Sequence, residues 1–269
     1  MVAVLAPSES KCQALKARVD FRSTACFDLT LISTRVTDHG LRHEAMNRKS
    51  HTPHVFTPHA LAISLFLVAT ANSLLAQPPR RALFNGKDLD GWQQMGPGSF
   101  VVKDGMMKTQ GGMGMLWYAR EKIAHATIRV VFRLTAKESD SGVFIRIPEK
   151  PSEPWMPINR GYEVEIGDWP DDYSCTGVLY TFTKALARPI RPIGEWNTMD
   201  ITIDGPHTVV YLNQVKVTDF VEGQPVPPKP PGSIDPDRGP RPDSGFIGLQ
   251  NHPGSEVYFK EVTVVPLPK

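Results

Sequence analysis

Apolar and polar residues alternate along much of the chain from Ala82 onward, the pattern of β-strands that bury one face. The clearest run covers residues 127–135. Its apolar positions share one face: Ile128, Val130, Phe132 and Leu134. Similar runs predict further strands at residues 142–147, 162–166, 177–182, 199–203, 208–212, 246–250 and 257–265.

Short turn signals separate these runs, among them Asn85-Gly86, Asp204-Gly205 and Asn213-Gln214. In the last run the apolar positions change parity, which predicts a β-bulge near Lys260-Glu261. No run has the period of an amphipathic helix of ten or more residues. Many short strands without a βαβ rhythm predict an all-β fold, an antiparallel β-sandwich or jelly roll.

Residues 221–243 contain 8 prolines in 23 positions. Proline cannot donate the backbone hydrogen bond that a central strand needs. This segment is therefore predicted to be a long surface loop. Two interpretations have equal weight: the rim of a binding site, or a simple insertion.

The first 76 residues do not share the strand pattern. Residues 60–71 are an apolar run that follows Arg48-Lys49 and precedes small residues, as in a secretory signal peptide. The run is shorter than the roughly 20 residues of a membrane span, although a signal anchor or a buried helix is an alternative. We expect residues 46–76 to be the signal and residues 1–45 to be an extension from a start site assigned too early. The body, residues 77–269, would then be exported to the periplasm or the extracellular space.

Residues 77–269 carry 30 − 8 = 22 Lys and Arg against 28 − 5 = 23 Asp and Glu, a net charge of −1. A nearly neutral body lacks the basic surface expected of a protein that binds nucleic acid or an anionic membrane. Cys12 and Cys26 lie in the extension, so the body keeps only Cys175 and has no internal disulfide. The oligomeric state is not predicted.

Glu163 and Glu165 alternate with apolar residues in the run Tyr162-Glu163-Val164-Glu165-Ile166. Residues i and i+2 of a strand point the same way, so two carboxylates share one face. Such a pair can divide the roles of acid and base; a solvated outer face is the alternative. If the neighbouring strands share one sheet, Arg146, Tyr180 and Gln250 are expected on the same surface, and His252 lies just past the end of its strand. Trp117, Trp155, Trp169 or Trp196 could stack on a sugar, whereas Trp92 is expected in the core.

Six ordered blocks resemble the DUF1080 or 3-keto-disaccharide hydrolase family from Leu83 to Leu267. They include Leu83-Phe84-Asn85-Gly86-Lys87-Asp88-Leu89-Asp90-Gly91-Trp92, Gly142-Val143-Phe144-Ile145-Arg146, Gly161-Tyr162-Glu163-Val164-Glu165-Ile166-Gly167-Asp168 and Gly248-Leu249-Gln250-Asn251-His252. The resemblance implies a concanavalin-like lectin/glucanase jelly roll. Asp140 stands where the family often has asparagine, and Glu165 where glutamine is common.

The resemblance also implies cleavage of a glycoside oxidised to a ketone at C3. Glu163 or Glu165 would remove the C2 proton, and Arg146 would stabilise the enolate oxygen. Tyr180 or His252 would protonate the leaving group, with Asp168 orienting one of these residues. Gln250 and the tryptophans would bind the sugar. No cofactor is predicted; a divalent metal could replace Arg146, but the sequence shows no ligand set.

Two other functions remain open on the sequence. Glu163-x-Glu165-x-x-Asp168 loosely resembles the carboxylate motif of jelly-roll glucanases that retain configuration. The fold is also shared with lectins, so a carbohydrate-binding module without catalysis is the third hypothesis.

Overall fold

A computed structural model describes residues 79–268, which form thirteen β-strands and one short helix. The strands are β1 (Arg81–Ala82), β2 (Trp92–Met95), β3 (Ser99–Lys103), β4 (Met106–Gln110), β5 (Gly114–Tyr118), β6 (Ala126–Leu134), β7 (Asp140–Ile147), β8 (Tyr162–Gly167), β9 (Asn197–Asp204), β10 (His207–Leu212), β11 (Val215–Val221), β12 (Phe246–Asn251) and β13 (Val257–Pro266). Helix α1 (Met156–Arg160) lies between β7 and β8. Residues 1–76, with the predicted signal and extension, lie outside the described range.

The strands form two antiparallel sheets. The larger has the order β11-β10-β9-β6-β13-β4-β3, with β1 paired to β13, and the smaller has the order β2-β5-β12-β7-β8. Apolar side chains from both sheets form one core between them. The predicted jelly-roll class is confirmed.

The strand β6 shows why the sequence folds this way. Its residues alternate strictly between buried and half-buried, and the four predicted apolar positions all lie in the core. Trp92 is also a core residue, as expected, and its indole Nε1 donates a hydrogen bond to the carbonyl of Leu83 at 2.7 Å. The predicted bulge in β13 is confirmed by a register shift between Phe259 and Glu261.

Tight turns connect neighbouring strands where the sequence places turn residues. Asn213 and Gln214 have φ angles of 49° and 71°, and they join β10 to β11. Two successive left-handed residues match the right-handed twist of the flanking strands.

The predicted strand at residues 177–182 is wrong. Gly177 and Thr181 have φ angles of 92° and 61°, which extended backbone does not tolerate. The segment between them still lies along the open edge of β8, where the amide of Glu165 donates to the carbonyl of Val178 at 3.0 Å. The proline-rich segment is a loop between β11 and β12, as predicted. Among residues 79–268, no helix has the length and apolar character that a membrane crossing requires.

Candidate functional site

The two glutamates lie on the outer face of the five-stranded sheet. The side chains of Val164 and Ile166 enter the core, so those of Glu163 and Glu165 point to the opposite face. Glu165 is paired with Gly142 of β7. Gln250 of β12 lies on the other side of Gly142. Leu249 of β12 is paired with Val143 of β7, so the next residue of β12, Gln250, falls opposite Gly142.

The side chain of Glu163 crosses over Gly142. A methyl group on Gly142 would lie 2.6 Å from Glu163 Cγ and would overlap its Oε1. Because Gly142 has no side chain, there is space above it between Gln250 and Glu165, and the carboxylate of Glu163 occupies this space. Both glutamates are buried, with exposures of 5% and 2%.

Tyr180 borders the two glutamates from the edge of the sheet. Its amide donates to the carbonyl of Glu163 at 2.9 Å. Burial, and then the negative charges of Glu165 and Glu163, raise the pKa of Tyr180 far above its ordinary value. The phenol of the resting site therefore stays protonated and can donate a hydrogen bond.

Two further carboxylates surround the cluster. Asp140 and Asp235 both help to raise the pKa of Tyr180. Asp140 is paired with Gly167 at the end of β8, and its Oδ2 lies 3.7 Å from His252 Nδ1. Sequence reasoning missed both as site residues. The sequence could have indicated Asp140, because it lies two residues before Gly142 and therefore points to the same face of the strand. Asp235 lies in a loop, where no alternation of apolar and polar residues predicts the direction of a side chain.

Arg146 lies away from these carboxylates. Ile145 and Arg146 together oppose one residue of β12, and the φ angle of Arg146 is 57°. This bulge breaks the alternation, so Arg146 does not share the face of Phe144 as the sequence predicted. Its guanidinium instead donates to backbone carbonyls at the β9–β10 turn and in the proline-rich loop: Gly205 at 2.8 Å, His207 at 3.2 Å and Pro242 at 2.9 Å.

Asp168 lines a small cleft together with Gly167, Trp169, Arg188 and Leu212. Trp196 lies on the outer face of the other sheet, where Arg133 stacks on its ring at 4.8 Å. Trp117 is on the same face as the glutamates but is 2% exposed, so it cannot stack on a sugar without a rearrangement. Cys175 is buried, and burial raises its thiol pKa, which opposes a role as a nucleophile.

Two tryptophans remain near the cluster. Trp169 lies against Gly167, the residue that is paired with Asp140. Trp155 precedes α1 and is 39% exposed. The helix packs on the same outer face through Met156 and Ile158. Of the two, Trp155 is the more exposed, since Trp169 is half-buried.

The proline-rich loop reaches the cluster, which favours the interpretation as a rim. Arg238 stacks on Phe182 at 4.7 Å, and its Nη1 donates to Thr181 Oγ1 at 3.0 Å. Arg241 donates to the carbonyl of Gly161 at 2.9 Å. These contacts hold the loop beside Tyr180.

The polar atoms around Glu163 are tightly enclosed. Gln250 is 4% exposed, and its Oε1 has no hydrogen-bond partner within residues 79–268. A buried acceptor of this kind is costly unless a ligand or water meets it. No group of three or more His, Cys, Asp or Glu side chains in the described part of the chain is arranged to hold a metal ion.

The fold and the buried polar face define a jelly-roll protein of the galectin-like class. A crystal structure of a Bacillus subtilis protein with a galectin-like fold has 13% identity and a TM-score of 0.50, covering 70% of this chain and 94% of its own. Two structures from Parabacteroides distasonis, provisionally described as glycosyl hydrolases, have 23% and 25% identity and TM-scores of 0.58. They cover 70% of this chain, and 94% and 100% of their own.

The model of the 3-keto-alpha-glucoside-1,2-lyase-like domain matches residues 79–265, so the chain belongs to this family. The search of curated proteins gave no match. Family and fold together make this a glycosyl hydrolase-like or carbohydrate-binding jelly-roll protein.

Proposed function

We propose that the protein cleaves 3-keto-glycosides, with Glu163 as the base. The observation that carries the proposal is the pair of buried carboxylates beside a tyrosine that stays protonated. A 3-keto group acidifies the C2 proton, so a carboxylate can remove it. An ordinary glycoside lacks this activation and needs a protonated carboxyl at the leaving group instead.

In the proposed reaction, the carboxylate of Glu163 takes the proton from C2, and the electron pair forms an enolate with the C3 oxygen. The enolate then collapses to an enone as the C1–O bond breaks. Tyr180 gives its proton to the departing oxygen. Water next adds to the enone: its hydroxyl joins C1, C2 regains the proton from Glu163, and Tyr180 regains its own.

The keto oxygen needs a hydrogen-bond donor as its charge grows. Arg146 was expected in this role, but its guanidinium is held by backbone carbonyls away from the cluster. The amide of Gln250 takes its place in the proposal, since it lies on the same face and beside the carboxylate of Glu163. His252, beside Asp140, is the second proton donor to consider.

Substrate must reach carboxylates that the surrounding segments enclose. The proline-rich loop, held by Arg238 at Thr181, is the segment whose displacement would open the cluster beside Tyr180. A non-catalytic binding module remains the second candidate function, because the fold also occurs among carbohydrate-binding proteins. Against it, the cluster presents charged groups rather than an exposed aromatic platform.

The decisive experiment incubates the protein with a plain disaccharide and with its 3-keto counterpart. Cleavage of the keto sugar alone supports the proposal, cleavage of the plain sugar supports an ordinary glycosidase, and binding without cleavage supports a lectin-like module. Glu163→Gln should lower kcat/KM for the keto sugar by about 100-fold or more, the usual contribution of a general base.

Glu165→Gln serves as the companion variant and Glu261→Gln as the control. Glu261 is on the other sheet and is 37% exposed, so its replacement should leave turnover unchanged. Full activity of both Glu163→Gln and Glu165→Gln would overturn the assignment of the base.

A further inference from the structure

A second polar surface lies on the outer face of the eight-stranded sheet, opposite the glutamate cluster. Four side chains form one cross-strand row on β4, β13, β6 and at the start of β9. Tyr258 is paired with both Lys108 and Arg133. Phe132 of β6 is paired with Asn197, the first residue of β9. Because the strands are antiparallel, Arg133, which follows Phe132, lies beside Trp196, which precedes Asn197.

Cations and aromatic rings alternate along this row. The guanidinium of Arg133 lies between two rings, 4.8 Å from Trp196 and 4.9 Å from Tyr258. Lys108, at one end, is 5.6 Å from the ring of Tyr258, and Lys260, beside the row on β13, is 5.7 Å from the ring of Trp196. These five residues are called the basic ladder below.

The charges of the basic ladder are incompletely neutralised. Lys108 forms an ion pair with Glu256. Within residues 79–268, neither Arg133 nor Lys260 has a carboxylate in ion-pair distance, and the buried Nε of Arg133 has no hydrogen-bond partner. The body as a whole carries a net charge of only −1, so this is a local concentration of positive charge.

We propose that the basic ladder is a second binding surface for an anionic polysaccharide. Four strands at about 4.8 Å spacing give the row a length of about 14 Å, which suits a chain of several sugar units better than one small anion. The half-buried ring of Trp196 can contact the apolar face of a sugar, whereas Tyr258 is buried and holds the two cations beside it. Arg133 and Lys260 then meet carboxylate or sulfate groups.

The test uses polygalacturonate and its fully methylated ester, two polymers with the same backbone of which only the first is charged. Binding is measured by affinity electrophoresis or calorimetry at low salt and again at 0.5 M NaCl. Polygalacturonate should bind, the binding should weaken with salt, and the ester should not bind. Equal binding of the ester, or no binding of polygalacturonate, would overturn the proposal.

Lys260→Gln and Lys122→Gln form a matched pair. Both lysines are exposed, and both lie 5.7 Å from an aromatic ring, but Lys122 is over Phe246 of the other sheet. Loss of one partly screened ion contact should weaken binding about threefold in Lys260→Gln, with no change in Lys122→Gln. Equal effects of the two would refute a localised site.

Arg133→Gln should weaken binding further, and its thermal unfolding separates a binding role from a structural one. A lower unfolding temperature with unchanged binding at 20 °C would show that the row only braces the sheet. A short DNA duplex is the third ligand. If it bound as tightly as polygalacturonate, the surface would select charge alone, and the assignment to a polysaccharide would fail.

Discussion

The carboxylate of Glu163 has its place because residue 142 has no side chain. Glu163 reaches diagonally across β7, and Gln250 and Glu165 flank it. Burial first, and then the nearby negative charges of the glutamates, raise the pKa of the Tyr180 phenol, which therefore keeps its proton. Single side chains thus set both the position of the base and the protonation of the donor.

Gly142→Ala should displace Glu163 without removing it. A misplacement of about 1 Å is enough to reduce turnover roughly 100-fold, and the crowding should destabilise the fold by about 1–3 kcal/mol. The measurement is kcat/KM for a 3-keto-disaccharide together with urea unfolding. Gly112→Ala is the control, since its new methyl group would meet its nearest neighbour at 3.5 Å. Unchanged kcat/KM in Gly142→Ala would contradict this geometry.

The raised pKa values of buried Tyr162 and half-buried Tyr180 predict a loss of stability in alkali. Burial raises the pKa of both Tyr162 and Tyr180 above the ordinary value of 10.0. The folded state favours the protonated form of both tyrosines. Their contribution to the free energy of unfolding is therefore complete below about pH 10, and it declines above that pH because the tyrosines of the unfolded chain ionise there. Urea midpoints from pH 8 to 11 should fall, and fall less steeply in Tyr180→Phe. Ionisation of all six tyrosines near pH 10 in the folded protein, by absorbance, would refute this.

At the scale of elements, one bulge decides which side chains face the glutamates. The bulge in β7 turns Arg146 away from the cluster and into contact with the β9–β10 turn and the proline-rich loop. A second element, the segment at residues 177–182, pairs along β8 without becoming a strand and so brings Tyr180 to the carboxylates. Arg146 thereby becomes a connecting residue between parts of the fold.

Arg146→Met should strongly lower the free energy of unfolding and have little effect on turnover. The arginine is 1% exposed, and its loss removes the donor from three partly buried carbonyls and from the buried hydroxyl of Thr208. We expect a decrease of about 3–5 kcal/mol in the free energy of unfolding, against about 1 kcal/mol or less for Arg129→Met at a partly exposed ion pair. Turnover of the folded fraction should persist. If Arg146→Met folded but had no activity, Arg146 would have a role in catalysis, which would contradict this prediction.

At the scale of the whole molecule, the two sheets present different chemistry on their outer faces. The five-stranded sheet carries buried carboxylates, and the eight-stranded sheet carries the basic ladder. The overall net charge conceals this division, because opposite charges on opposite faces cancel in a sum.

Export of the protein is a proposal, since the predicted signal at residues 46–76 lies outside the described residues. We expect a chain expressed with residues 46–76 in place to be cleaved close to Gln77. N-terminal sequencing of the secreted product checks this, and replacing Leu65 and Leu67 by arginine should retain the protein in the cytoplasm by interrupting the apolar run. An uncleaved product held in the membrane would instead indicate a signal anchor.

The sequence by itself determined the all-β class, most strands from β6 onward, the bulge at Phe259–Glu261 and the shared face of Glu163 and Glu165. These features depend on the local alternation of apolar and polar residues, which is the same whichever neighbours the strand pairs with. The tertiary structure alone decided which strands are neighbours, and therefore which polar groups meet. It grouped Gln250, Tyr180 and Asp140 with the glutamates and separated Arg146 and Trp196 from them. Parity cannot predict this because one extra residue in a bulge reverses the face of every residue beyond it.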